Sequence, residues 1–133
     1  MSRTRVLSLL LLPVLFLLMA FRQAPLVDPD PIAVPPKTAE HQIAKVIKVS
    51  LLHRGWTVDS EKPGAIDATL HLREHVARIA ISYDSANVRI KYLSSENLKY
   101  EIEHGKPLIH KNYLSWIENL VTDIRTNFVA LAD

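Results

Sequence analysis

Residues 65–92 read AIDATLHLREHVARIAISYDSANVRIKY, and the alternation of apolar and polar side chains in this stretch decides the fold. A strand places successive side chains on opposite faces of a sheet, so strict alternation indicates a strand with one buried face. The pattern occurs three times, and a turn at residues 84–87 separates its second and third occurrences. It predicts three half-buried antiparallel strands. The residues predicted to share the core face are Ile66, Ala68, Leu70, Leu72, Ala77, Ile79, Ile81, Tyr83, Val88, Ile90 and Tyr92.

Helical patterns lie on both sides of these strands. Thr38 suits a helix N-cap, apolar residues follow it at helical spacing, and Gly55 offers a left-handed stop, which predicts a helix over residues 38–54. A fourth, short strand is predicted at residues 56–58, before a turn at residues 62–64. Residues 94–109 are predicted to form a long polar loop, and a second amphipathic helix is predicted over residues 111–130.

This order of elements predicts an α+β fold. An antiparallel meander of three to four strands has one apolar face to bury, and two amphipathic helices, one N-terminal and one C-terminal, can cover it. We therefore expect a two-layer sandwich within one small domain, residues 38–133.

Residues 22–37 contain five prolines, which fix φ and favour extended geometry in the preceding residue. We expect this proline-rich linker to be a semi-rigid spacer between the domain and the segment before it.

The first 21 residues have the layout of an export signal or an N-terminal membrane anchor. Arg3 and Arg5 precede a 16-residue run, 6–21, that only Ser8 and Pro13 interrupt. That length lies between a cleaved signal peptide and a short transmembrane helix. Because positive charge stays on the cytoplasmic side, either alternative predicts a domain on the periplasmic side of a bacterial inner membrane. If the run is uncleaved, residues 6–21 hold the chain in the membrane.

The charge balance argues against nucleic acid as a partner. The chain has 16 Lys and Arg against 14 Asp and Glu, and Arg3 and Arg5 account for that excess. The remainder is neutral, whereas nucleic-acid-binding domains usually carry a basic patch. The absence of cysteine removes disulfides, thiolate metal sites and a lipidated cysteine.

Four blocks of sequence resemble a group of small exported proteins and lipoproteins of proteobacteria without an assigned function. They are Arg54-Gly55-Trp56, Tyr83-Asp84, Ser95-Glu96-Asn97-Leu98 and IHKNYLSW at residues 109–116. The resemblance covers roughly residues 38–130 and implies a cell-envelope location and a compact α+β domain, but no activity. The chain departs from many members in lacking a lipobox cysteine and in having Leu114 where they have asparagine.

The start of the second helix carries the first candidate binding site. Asn112 is a suitable N-cap, and Tyr113 and Trp116 are three residues apart, on one side of a helix. Together with His110 they form a polar and aromatic group that can hold a small anion or a peptide terminus. The alternative is that these residues serve only for capping and core packing.

The polar face of the sheet is the second candidate. It is a possible partner face for an acidic protein, a lipid headgroup or a second sheet. The alternative is a solvated face whose charges are balanced by neighbouring carboxylates. The basic residues predicted on this face are His71, Arg73, Arg78, Arg89 and Lys91.

Neither metal binding nor catalysis is predicted. His71 and His75 would be about 13 Å apart along a single strand, too far to share a zinc ion. The sequence contains no nucleophile elbow, phosphate loop or dinucleotide fingerprint, so no catalytic residue and no cofactor is assigned. We expect a non-enzymatic binding or interaction module of the cell envelope. The alternatives are an accessory subunit of an inner-membrane complex with a retained transmembrane helix, and a small envelope enzyme.

Overall fold

The computed structural model describes residues 22–132, and within that range the chain forms two helices, eight strands and two antiparallel sheets. The α+β class predicted from the sequence is therefore confirmed. The helices are α1, Glu40–His53, and α2, Lys111–Ala132. The strands are β1 Gln23–Pro25, β2 Ile32–Ala33, β3 Trp56–Lys62, β4 Ala65–Leu72, β5 His75–Tyr83, β6 Asn87–Glu96, β7 Glu101–Glu103 and β8 Lys106–His110.

The larger sheet has the strand order β2-β6-β5-β4-β3. Strands β3 to β6 follow one another in the chain and pair antiparallel, and β2 joins the outer edge of β6. The alternation in residues 65–92 is confirmed, since the predicted core-face residues from Ile66 to Ile90 are buried apart from Leu72. Leu72 is 43% exposed because β4 ends at this residue, and Tyr92 is only partly buried.

The smaller sheet, with the order β1-β8-β7, corrects the prediction of a polar loop over residues 94–109. Strand β6 continues to Glu96, and β7 and β8 form a hairpin closed by Gly105 at a φ of 76°. Strand β8 also pairs with β1, whose residues lie some 85 positions earlier in the chain. A local pattern of apolar and polar residues contains no signal for a pairing at that separation.

The proline-rich segment also differs from its prediction as a spacer. Residues 22–37 contribute β1 and β2, and their Ile32 and Val34 side chains are 1% and 7% exposed within the main core. The Asp28 carboxylate accepts a hydrogen bond from the Tyr92 backbone N–H at 2.9 Å. Pro25 ends β1, and the buried Ile32 and Val34 side chains attach the segment to the domain.

Helix α1 begins at a different N-cap from the predicted one, but it ends as predicted. The N-cap is Ala39, whose backbone N–H donates to the Gln42 side chain, while the Thr38 hydroxyl donates to the Pro35 carbonyl oxygen. At the other end Gly55 has a φ of 85°, which confirms the left-handed stop.

The two helices pack against each other with antiparallel contacts. The buried Ser50 hydroxyl accepts a hydrogen bond from the Asn127 amide at 2.9 Å, and Arg54 forms an ion pair with Asp123. Side chains from both helices join one core cluster with those of the larger sheet. Within residues 22–132, no helix is long and apolar enough to cross a membrane. The predicted signal or anchor, residues 1–21, lies outside the described residues.

Candidate functional site

His110 is the N-cap of helix α2, a role that the sequence had suggested for Asn112. The helix begins at Lys111, so His110 precedes it, and the Asn112 backbone N–H donates to His110 Nδ1 at 3.0 Å. The Lys111 backbone N–H donates to the carbonyl oxygen of Arg22 at 2.8 Å. Two of the unpaired amides at the start of the helix are therefore satisfied, one by a histidine ring and one by the N-terminal segment.

The surroundings of His110 favour its neutral form. Burial lowers the pKa of the imidazole, and electrostatic repulsion from neighbouring groups, first Lys99, then His75 and Arg22, lowers the pKa further. With Nδ1 accepting a hydrogen bond, the proton of the neutral ring lies on Nε2. Metal ligation through Nε2 would require that proton to move to Nδ1, which would remove the helix cap.

His75 and Trp116 lie next to His110 and complete a ring cluster that the sequence did not predict. The centroid of His75 is 6.5 Å from that of His110 and 6.1 Å from that of Trp116. His75 Nδ1 donates to the Asn97 carbonyl oxygen at 2.6 Å, and the Asn97 amide donates to the Glu74 carbonyl oxygen. These bonds fix the ring of His75 at the start of β5.

Tyr113 belongs to the core instead of to this cluster. Its side chain is 2% exposed and meets Tyr92 edge to face, with centroids 5.5 Å apart. Burial raises the pKa of the Tyr113 hydroxyl strongly, so this group stays protonated at physiological pH. The predicted set is thus divided: His110 and Trp116 come together, Asn112 is an exposed residue of the first helical turn, and Tyr113 packs inside.

Trp116 also lines a cleft of about 200 Å³, which we call the tryptophan cleft. It is formed where α1 ends, β3 begins, β4 ends and α2 passes over them. Trp56 is 2% exposed, and its indole Nε1–H has no hydrogen-bond acceptor among the described residues. A buried donor without a partner is uncommon because it loses its hydration without compensation. The residues that line the cleft are Arg54, Trp56, Leu70, Leu72, Trp116 and Asn119.

The charge in the tryptophan cleft is neutralised within the protein. Arg54 Nε and Nη2 donate to the two carboxylate oxygens of Asp123 at 2.6 and 3.0 Å. This hydrogen-bonded pairing raises the pKa of Arg54 and lowers the pKa of Asp123, so both groups are ionised at neutral pH. The cleft therefore offers neutral or charge-compensated donors beside an apolar wall.

Sequence reasoning missed His75, Arg54 and Trp56 as neighbours of Trp116. Trp56 and Trp116 are the only two tryptophans of the chain, and both line the same cleft. Two of the four sequence blocks quoted above also meet here, since Arg54-Gly55-Trp56 and the block ending at Trp116 supply three of the six lining residues. The blocks were visible in the sequence, but their proximity depends on the pairing of β3 with β4 and on the packing of α2.

A second, larger cleft lies at the start of α1, with a volume of about 320 Å³. Glu40, Gly64, Tyr83 and Asp84 are among its lining residues. The Asp84 carboxylate is already occupied, because it accepts the backbone N–H groups of Ala86 and Asn87, and these bonds lower the pKa of Asp84. No tryptophan lines this cleft, whereas the tryptophan cleft brings both tryptophans of the chain together, so the tryptophan cleft is the stronger candidate.

Only some of the residues predicted for the partner face are exposed on the sheet without a side-chain partner named here. Arg89 and Lys91 are exposed on β6, and His71 is exposed near the end of β4. Arg78 on β5 is occupied by Glu96 and Ser94, at 3.0 and 3.3 Å. Arg73 does not lie on a strand as predicted; it occupies the β4–β5 turn with a φ of 56°. A two-residue turn between β4 and β5 requires such a conformation, which places Arg73 off the sheet face.

In residues 22–132, no group of three His, Asp or Glu side chains is arranged to hold a metal ion. Comparisons with protein-family models, with curated proteins and with solved structures found no match to this chain.

Proposed function

We propose that this protein is a non-enzymatic binding module of the bacterial cell envelope and that it recognises its ligand through the tryptophan cleft. The observation that carries the proposal is a cleft that brings both tryptophans of the chain together with the apolar side chains of Leu70 and Leu72.

The amphipathic lining supports binding more than catalysis. Trp116 is partly exposed in the cleft, and aromatic rings with one polar atom are typical of recognition surfaces because they give a large contact area with few rotatable bonds. The ionisable groups nearby, Arg54, Asp123 and His110, are each held by a structural partner. None of them is a free general acid or base in the described structure.

The location is part of the same proposal. The apolar run 6–21 and the arginines before it support a domain on the periplasmic side of the inner membrane, exported or anchored.

We also propose the two-layer arrangement, with α1 and α2 covering one face of the larger sheet. The single core cluster shared by both helices and that sheet supports it.

One observation favours the alternative of an accessory subunit of a membrane complex. Arg22, the first residue after the apolar run, is bonded to the start of α2, beside the His75, His110 and Trp116 rings. If residues 6–21 are retained in the membrane, this end of the domain lies near the membrane surface. N-terminal sequencing of the membrane-associated protein distinguishes the two: a retained Met1–Phe21 segment supports the subunit, and its loss supports a free module.

Co-purification tests the binding proposal. Leu72 is 43% exposed at the rim of the cleft, so Leu72→Glu places a carboxylate there without disturbing the core. Leu93→Glu is the matched control, because Leu93 is 48% exposed on β6 and does not line the cleft. We expect an envelope component to be isolated with the wild type and with Leu93→Glu, but not with Leu72→Glu. Equal recovery from all three proteins would remove the cleft from the proposal.

A further inference from the structure

We propose that the end of the domain next to the apolar run is a docking surface for anionic phospholipid headgroups. We call this surface the Arg22 end, and it consists of the exposed residues Arg22, Lys99, Tyr100 and Lys111. The inference rests on the proposed location, with residues 6–21 retained in the membrane. It adds a partner, the membrane surface, that is distinct from the ligand of the tryptophan cleft.

The backbone of Arg22 is fixed to the domain. The Lys111 backbone N–H donates to the Arg22 carbonyl oxygen at 2.8 Å, and Gln23 in β1 pairs with His110 in β8. Arg22 is also the residue that directly follows the apolar run 6–21. The folded domain therefore begins where the run ends, so a run that stays in the membrane holds the Arg22 end at the level of the headgroups.

Lys99 brings a second cation to the same end. The Gln23 side-chain amide donates to the Lys99 carbonyl oxygen at 2.8 Å, and the His110 backbone N–H donates to the Leu98 carbonyl oxygen at 2.8 Å. These bonds hold Lys99 beside the start of β1. The side chains of Arg22 and Lys99 are exposed, and neither forms an ion pair within residues 22–132.

The charge balance of this end favours an anionic surface. Glu101 is a carboxylate at the same place, and it accepts a hydrogen bond from the Gln23 amide at 2.9 Å. Arg22, Lys99 and Lys111 outnumber it, so the end carries an excess of positive charge. Each Lys or Arg close to an anionic membrane surface contributes about a fivefold factor to binding.

Tyr100 adds an aromatic side chain next to these cations. It is 43% exposed and stacks on Tyr92 with the ring centroids 5.1 Å apart, and Tyr92 meets the buried Tyr113 edge to face. The three rings form a column from the core to the surface, which fixes the orientation of Tyr100. Tyrosine is enriched at membrane interfaces because its ring is apolar and its hydroxyl is polar.

The position of the cations favours lipid over an acidic protein. A protein partner could bind a basic patch anywhere on the domain, whereas headgroups meet only the part of the domain that adjoins the membrane. Arg22 adjoins the apolar run in the chain, and hydrogen bonds place Lys99 and Tyr100 at the same end. Charge and location therefore agree on one occupant.

Contact quenching on the full chain in lipid nanodiscs tests the inference. The chain has no cysteine, so Asn112→Cys on the exposed first turn of α2 can carry a single nitrobenzoxadiazole label. The nanodiscs contain a lipid with a spin-labelled headgroup as the quencher, in phosphatidylcholine alone or in its equimolar mixture with phosphatidylglycerol. We expect stronger quenching with phosphatidylglycerol, and we expect high salt to remove the difference by screening the charges.

Two charge reversals locate the effect. Lys99→Glu should lower the ratio of docked to undocked protein at least about fivefold in the anionic nanodiscs. Lys106→Glu is the matched control, because Lys106 is exposed on β8 four residues from His110, about 13 Å along the strand, and should leave the ratio unchanged.

Equal quenching in the two kinds of nanodisc, or equal effects of the two reversals, would overturn the lipid assignment. An acidic protein that co-purifies with the wild type but not with Lys99→Glu, without any dependence on phosphatidylglycerol, would assign the Arg22 end to a protein and overturn it as well. The proposed function of the tryptophan cleft is tested separately, since it fails only if Leu72→Glu leaves co-purification unchanged.

Discussion

At the scale of single residues, the side chains at the start of α2 have different roles from those their types suggest. Asparagine is a common N-cap and histidine is not, so the sequence favours Asn112. In the structure the cap lies two residues earlier, at His110, which also donates its backbone N–H to the Leu98 carbonyl oxygen. The end of β8 fixes the position of the cap, and β8 was not predicted. Propensity therefore identified the helix and its first residue, but not the residue that caps it.

Replacing His110 by Ala tests this cap. We expect His110→Ala to lower the free energy of unfolding by about 1 kcal/mol, the usual cost of removing a side-chain N-cap. His110→Asn should recover most of that loss, because asparagine caps well. Asn112→Ala, on an exposed residue of the first turn, should change stability by less than about 0.5 kcal/mol. Urea unfolding measures all three, and an Asn112→Ala loss as large as that of His110→Ala would contradict the assignment.

The same residue gives the protein a pH dependence. The pKa of His110 is lowered in the folded state from an unfolded value of about 6.5, so the unfolded chain binds the proton more readily. The contribution of neutral His110 to the free energy of unfolding is fully present above about pH 6.5. It is lost as the pH falls towards the lowered pKa of the folded state. We expect stability measured from pH 8 to pH 5 to fall less steeply in His110→Asn than in the wild type. Identical slopes would show that His110 titrates normally.

At the scale of elements, local periodicity predicted the parts that contact their sequence neighbours. Strands β4, β5 and β6 carry the alternation, and α1 and α2 carry the helical repeat, so these five elements were predictable. Strands β1 and β2 are short and pair with distant segments, and the proline-containing β8 pairs with the distant β1 as well as with its neighbour β7. Their sequences have no independent preference for a strand, which explains why residues 22–37 and 94–109 were predicted as a spacer and a loop.

Truncation of Ile32 tests whether the proline-rich segment belongs to the domain. Ile32 is 1% exposed on β2, so Ile32→Ala should cost about 2–5 kcal/mol in unfolding free energy through lost burial and an unfilled cavity. Val27→Ala is the control within the same segment, since Val27 is 71% exposed and should cost less than about 0.5 kcal/mol. If thermal or urea unfolding shows no difference between the two variants, the segment is a detached spacer.

At the scale of the whole molecule, the contact between the helices connects the core to the tryptophan cleft. Ser50 is fully buried on α1 and accepts a hydrogen bond from Asn127 on α2, while Arg54 and Asp123 are paired one turn further along. These contacts set the position of α2 over β3 and β4, and so the distance between the two tryptophans. The sequence showed both helices and both tryptophans, but not which helical faces meet.

A double-mutant cycle with Ser50→Ala and Asn127→Ala measures that contact. Each single change leaves one polar group without its partner, so we expect the double variant to be more stable than the sum of the two losses predicts. The coupling should be about 0.5–1.5 kcal/mol in urea unfolding, the usual net value of an intramolecular hydrogen bond. Additive losses would show that the two side chains do not interact.

The central claim is that the tryptophan cleft, and not the open sheet face, is the recognition surface. A photo-crosslinking phenylalanine analogue can be placed in living cells at Asn119, which lines the cleft, or at Ser82, which is exposed on β5 opposite Arg89. We predict a discrete crosslinked product from position 119 that Leu72→Glu removes, and none from position 82. A product from position 82 alone, or equal products from both positions, would contradict the account.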